Sequence, residues 1–92
     1  MREVLVKMVS ADACDRCRLL ERRVLDVAAK SKAKVRLVKL DCMSGDAVAL
    51  GIQHGLEDVP SLVIGRVGLS GDSFSDKELS EAIAAEARHN GS

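Results

Sequence analysis

The 92-residue sequence predicts an α/β fold, a four-stranded mixed sheet with helices on both faces in the order βαβαββα. Three observations carry that expectation. Short β-branched apolar runs alternate with stretches of helical period, as in strand–helix–strand units. No Gly or Pro interrupts the first helical stretch, residues 14–31. Late in the chain, the tight Gly65-Arg66 pair separates two short apolar runs, which is a hairpin signal.

The first strand is expected over residues 4–9, where Val4, Leu5, Val6, Met8 and Val9 leave only Lys7 polar. Such a run suits a central strand covered on both sides. Ser10-Ala11-Asp12-Ala13 then makes a turn. Cys17, Leu20, Val24, Val27 and Ala28 recur at spacings of three and four, so a helix follows, with Arg18, Arg22, Arg23 and Lys30 on its polar side. Residues 35–40 form the second strand, ending at Asp41-Cys42-Met43. Ser44-Gly45-Asp46 opens a second helix through Ala47, Val48, Leu50 and Ile52; Gly51 weakens it and Gly55 suits its left-handed stop. Residues 61–64 and 67–70 are the hairpin strands. Ser75-Asp76-Lys77-Glu78 is a capping box for a last helix whose inner face carries Leu79, Ala82, Ile83 and Ala87, with residues 89–92 as a frayed tail. A strand–helix–strand unit must be parallel with a right-handed crossover, whereas the hairpin adds antiparallel strands.

Length and composition narrow the function. One domain spanning 1–92 is expected, since a second core would not fit. No apolar run approaches the roughly 18–20 residues of a membrane span. The start of the chain carries charge through its apolar stretch and lacks a small-residue cleavage site, so no export signal and a cytoplasmic location are expected. Phe74 is the only aromatic residue, which argues against the stacking platforms of single-strand nucleic-acid binders. Net charge is zero, yet residues 15–39 hold nine basic and three acidic groups while residues 40–92 hold three and nine. Two solvated faces account for this; selection of an acidic partner by the basic segment is the functional alternative.

Chemistry concentrates at the first strand–helix junction. Three cysteines, Cys14, Cys17 and Cys42, are too few for a secreted disulfide framework. Cys14 falls at the tip of a helix, where unpaired N–H groups and the helix dipole favour thiolate. Arg16 and Arg18 push the same way and Asp15 opposes them. Cys17 shares the apolar stripe with Leu20 and Val24, so its sulfur is expected to be buried and protonated. An exposed thiolate that attacks, backed by a shielded thiol that resolves, is the asymmetry disulfide exchange requires. Zinc is the rival, with Cys42, His54 and His89 as further ligand candidates, but no second Cys-x-x-Cys knuckle exists and no metal is expected. Cys42 ends the second parallel strand, at the edge where ligands of open α/β sheets gather. It is read as a partly buried small residue or as an accessory thiol.

Pro60, the only proline, precedes the third strand and completes a pattern. The apolar first strand, Cys14-Asp15-Arg16-Cys17, the second strand ending in Asp41, Val59-Pro60-Ser61, the hairpin and Gly71-Asp72 together resemble the thioredoxin and glutaredoxin superfamily over nearly the whole chain. The length fits its small, glutaredoxin-sized members. That resemblance implies a thioredoxin-like fold, a cis Val59–Pro60 bond set against the cysteines, and a Val59 backbone that pairs with an extended substrate. Ala13, Asp15 and Arg16 complete the expected substrate contacts. Thioredoxins carry a Trp where Ala13 stands and a buried acid where Met8 stands. Proton exchange with Cys17 is then left to solvent or another group, with Lys7 a candidate if its amine reaches the site. Glutaredoxins carry a Tyr in the spacer, absent here, and Gly71-Asp72-Ser73 only partly matches their glutathione-docking run, so glutathione is not expected as a cofactor.

The sequence thus reads as a thiol–disulfide oxidoreductase in which Cys14 attacks, Cys17 resolves and Val59-Pro60 presents the substrate. Protein or small disulfide substrates, a reductase or dithiol donor, and a monomeric chain without nucleic-acid or membrane partners are expected. A non-catalytic metal or iron–sulfur carrier using Cys14, Cys17 and Cys42, and a redox-switched docking protein, are the alternatives.

Overall fold

Seven elements follow in the predicted order: β1 (Glu3–Ser10), α1 (Asp15–Lys30), β2 (Lys34–Asp41), α2 (Gly45–His54), β3 (Ser61–Ile64), β4 (Val67–Ser70) and α3 (Asp76–Asn90). They come from a computed structural model that describes residues 3–71 and 73–90. The sheet order is β2-β1-β3-β4. β1 and β2 run parallel, paired from Glu3↔Lys34 to Ser10↔Asp41. β3 is antiparallel to both of its neighbours, β1 and β4. The mixed four-stranded sheet with three helices is the fold the sequence predicts.

Strand alternation divides the sheet into two faces. Val4, Val6 and Met8 of β1 and Leu62 and Ile64 of β3 point to one face, where α1 supplies Leu20 and Val24 and α3 supplies Leu79, Ile83 and Ala87. α2 lies on the opposite face, its Ala49 and Leu50 near Leu5, Val38 and Leu40. The sequence led us to expect β1 covered on both sides, but Leu5 is 39% exposed. A ten-residue helix is too short to roof the whole second face.

Helix ends follow local chemistry. Ser44 caps α2 by accepting the Ala47 N–H at 3.2 Å, and Gly55 stops it in the left-handed conformation at φ 64. The capping box of α3 is reciprocal: Glu78 N–H donates to Ser75 Oγ at 3.1 Å while Ser75 N–H donates to Glu78 Oε1 at 3.2 Å. α3 continues through His89 and Asn90, which the sequence assigned to a frayed tail; neither Gly nor Pro intervenes before Gly91 to stop it. Residues 91 and 92 lie outside the described residues.

Candidate functional site

β1 ends at Ser10, and Ala11 to Ala13 turn the chain into α1. Ala13 adopts φ 52, a left-handed backbone that costs a non-glycine residue about 1–2 kcal/mol. That turn delivers Cys14 to the N-cap of α1 with extended dihedrals, φ −106 and ψ 107. Its sulfur accepts the Cys17 N–H at 3.1 Å, so Cys14 does for this helix what Ser or Asp does for most. Cys14 and Cys17 are joined as a disulfide, their Cα atoms 5.2 Å apart across one helical turn. Cys14 is half-buried at the rim, whereas Cys17 is only 4% exposed beneath it. This is the asymmetry the helical spacing predicts.

The surrounding charges sort differently from the sequence expectation. Arg18 is paired with Asp15 on the surface one turn along, so these two opposed charges largely cancel at the sulfur. Arg23 is not simply a solvated cation. It lies over the Phe74 ring at 5.0 Å, donates to the Phe74 carbonyl at 2.7 Å and meets Asp76 at 2.9 Å, tying α1 to the start of α3. Lys7 does not serve the cysteines. It alternates with Met8 along β1, so it stands on the α2 face while Met8, fully buried, stands beside Cys17.

A cleft of about 300 Å³ opens in front of the pair, lined also by Met8, Asp12, Glu21, Lys39 and Asp41. Across it Lys39 Nζ meets Glu21 Oε1 at 3.2 Å. The residues around Pro60 belong to the same end of the sheet. The register pair Val9↔Ser61 places Pro60 one residue beyond β3, level with the end of β1 where the cysteine turn begins. The Val59–Pro60 bond is cis and Pro60 is fully buried. Ser70 Oγ holds the preceding loop by accepting the N–H groups of Glu57 and Asp58, each at 3.1 Å, and Ser61 Oγ donates to the Asp58 carbonyl. Gly71, at φ 77, passes close to Asp58, where a side chain would crowd the carboxylate at 3.3 Å. Asp72 lies outside the described residues.

Val59 and Cys42 line a separate groove of about 320 Å³ on the α2 side, with Ile52 and Leu56. Cys42 is a free, half-buried thiol that does not line the Cys14–Cys17 cleft. Among the described residues, no group of three or more His, Cys, Asp or Glu side chains is placed to hold a metal ion. The three-cysteine carrier therefore has no assembled donor set. Sequence reasoning missed Glu21, Lys39 and Ser70. The first carried a readable signal, four residues after Cys17 and so on the same side of the helix.

The thioredoxin family model matches residues 1–89. The chain belongs to the thioredoxin family. No curated protein sequence matches it. Among solved structures it is similar to chloroplastic thioredoxin z, at 21% identity and TM-score 0.65, covering 95% of this chain and 80% of that one. It is also similar to a chain in the complex of ferredoxin:thioredoxin reductase with thioredoxin f2, at 21% identity and TM-score 0.55, over 91% and 77% of the two chains. A glutaredoxin from Archaeoglobus fulgidus aligns at 20% identity and TM-score 0.52, over 85% and 84%. At these identities the structural likeness establishes the fold. Membership of the thioredoxin family and a bonded Cys-x-x-Cys pair together support thiol–disulfide redox activity in general terms.

Proposed function

We propose that this thioredoxin-family chain is a thiol–disulfide oxidoreductase that acts on protein disulfides, with residues 1–92 as a single domain. The observation that carries the reading is Cys14 at the helix N-cap, its sulfur already accepting a backbone N–H, with Cys17 shielded beneath it. In the reduced protein that N–H and the helix dipole favour the Cys14 thiolate. The thiolate attacks a substrate disulfide, forming a Cys14–substrate bond and releasing one substrate thiolate. Cys17 then attacks Cys14, the mixed disulfide breaks, and the second substrate sulfur leaves with the electron pair. Two electrons have passed to the substrate, and a dithiol donor or reductase restores the pair. The crystallised complex of thioredoxin f2 with ferredoxin:thioredoxin reductase supports a reductase as that donor.

Val59 and Pro60 present the substrate as an added extended strand, with Ala13, Asp15 and Arg16 flanking it. Support comes from the shared sheet end and from the Ser70 clamp that holds the loop. A monomer in a reducing compartment such as the cytoplasm completes the proposal. The test is insulin reduction driven by dithiothreitol. Cys14→Ser abolishes turnover, and Cys17→Ser accumulates mixed disulfides that can be isolated on a non-reducing gel. Turnover retained by Cys14→Ser removes the assignment.

A further inference from the structure

Closing the disulfide requires Cys17 to lose a proton, and its surroundings offer few acceptors. The sulfur is buried, and its neighbour Met8 is apolar and fully buried. We propose that Glu21, steadied by Lys39, takes the proton from Cys17 during resolution and returns it in the reverse direction. This rests on the disulfide-exchange reading above and names the proton carrier of the same site.

Three observations converge on Glu21. It lies four residues beyond Cys17 on α1, which brings their Cβ atoms within about 6 Å on one side of the helix. It lines the cleft that both cysteines line, with its side chain 29% exposed and thus partly shielded from water. Lys39 is the register partner of Met8, so its side chain leaves β2 on the cysteine face and crosses to Glu21 Oε1 at 3.2 Å. Lys39 is a positioning residue, since it fixes the carboxylate over the cleft. The other charged groups facing the cleft are Asp12 from the turn, Arg18 from α1, which is held by Asp15, and Asp41 from the end of β2.

In the Cys14–substrate mixed disulfide, the Cys17 S–H proton passes to a Glu21 carboxylate oxygen. The Cys17 sulfur pair forms the bond to the Cys14 sulfur, and the bond from Cys14 to the substrate sulfur breaks. The substrate leaves as a thiolate and is protonated by Glu21 or by solvent.

Mixing reduced protein with excess dithiobis(nitrobenzoate), in a Cys42→Ser background, separates the two halves. Cys14 attack releases the first thionitrobenzoate, and Cys17 attack on the Cys14 adduct releases the second. Glu21→Gln is expected to slow the second phase about tenfold at neutral pH and to leave the first within about twofold. The gap closes at alkaline pH, where Cys17 ionises without help. Lys39→Met gives a smaller slowing with the same pH dependence. A second phase unchanged in Glu21→Gln overturns the proposal, as does a slowing that persists equally at alkaline pH, which marks a merely structural role. Should Glu21→Gln lose the first phase as well, Lys39→Met decides by the same pH criterion. A parent protein with no first phase fails the exchange reading itself, a result distinct from any failure of Glu21.

Discussion

The two faces of the sheet are filled to different standards. On the α1 and α3 side, Leu62, Ile64, Val4, Val6 and Met8 are sealed from solvent. On the α2 side, Val63 and Val9 are buried, yet Leu5 is partly open and Met43, Val48 and Ile52 are exposed. α2 contributes only Ala47 to the buried set. The bonded cysteine pair grows out of the well-packed face: Cys17 belongs to the same buried cluster as Leu20 and Val24, whereas Cys42 faces the looser side. A sulfur set in a close-packed layer is held in position more firmly than one at the rim.

If the faces differ as described, equal truncations have unequal costs. Leu62→Ala on the sealed face is expected to lower stability by about 2–5 kcal/mol through lost burial and the cavity left behind. Leu5→Ala, on the strand next to it but facing the other way, is expected to cost less than about 1 kcal/mol because much of its side chain already meets water. Denaturant unfolding of both variants measures the pair. A Leu5→Ala loss equal to that of Leu62→Ala erases the distinction between the faces.

The helix caps sharpen the contrast. Ser75→Ala removes one half of the reciprocal box that starts α3, a helix packed into the core, and is expected to cost about 1 kcal/mol of global stability. Ser44→Ala removes the corresponding acceptor from α2, along with its donation to the Asp41 carbonyl at 2.7 Å. Because α2 is lightly anchored, its loss shows mainly as local opening, with amides of residues 47–54 exchanging faster than those of β1. Hydrogen exchange followed residue by residue distinguishes local from global opening.

How much of this was legible in the sequence depends on whether the cause is local. Strand runs, the Gly65 turn, the Gly55 stop and the Ser75 box are set by neighbours in the chain, and all are found where the sequence predicts them. The Cys14 cap is local too. The place of Lys7 is also set locally: with Met8 beside the cysteines, strand alternation sends Lys7 to the other face. Lys39 and Glu21 meet because a parallel crossover lays β2 beside β1, and Arg23 reaches Phe74 and Asp76 because α3 returns beside α1. These contacts span 18 and more than 50 residues, so no local pattern announces them.

The smallest expected effect tests the looser face most directly. Ile52 is 81% exposed on α2, so replacing it removes little contact with the rest of the fold. Ile52→Ser is expected to shift stability by no more than about 0.5 kcal/mol in either direction, since exposed sites away from caps and networks rarely do more. Helix propensity works in the same narrow range, because Ile and Ser rank close together. The measurement is the midpoint of thermal unfolding alongside the parent. A loss of about 2 kcal/mol or more would mean that Ile52 is buried in solution, and the α2 side would then be packed to the standard of the α1 side.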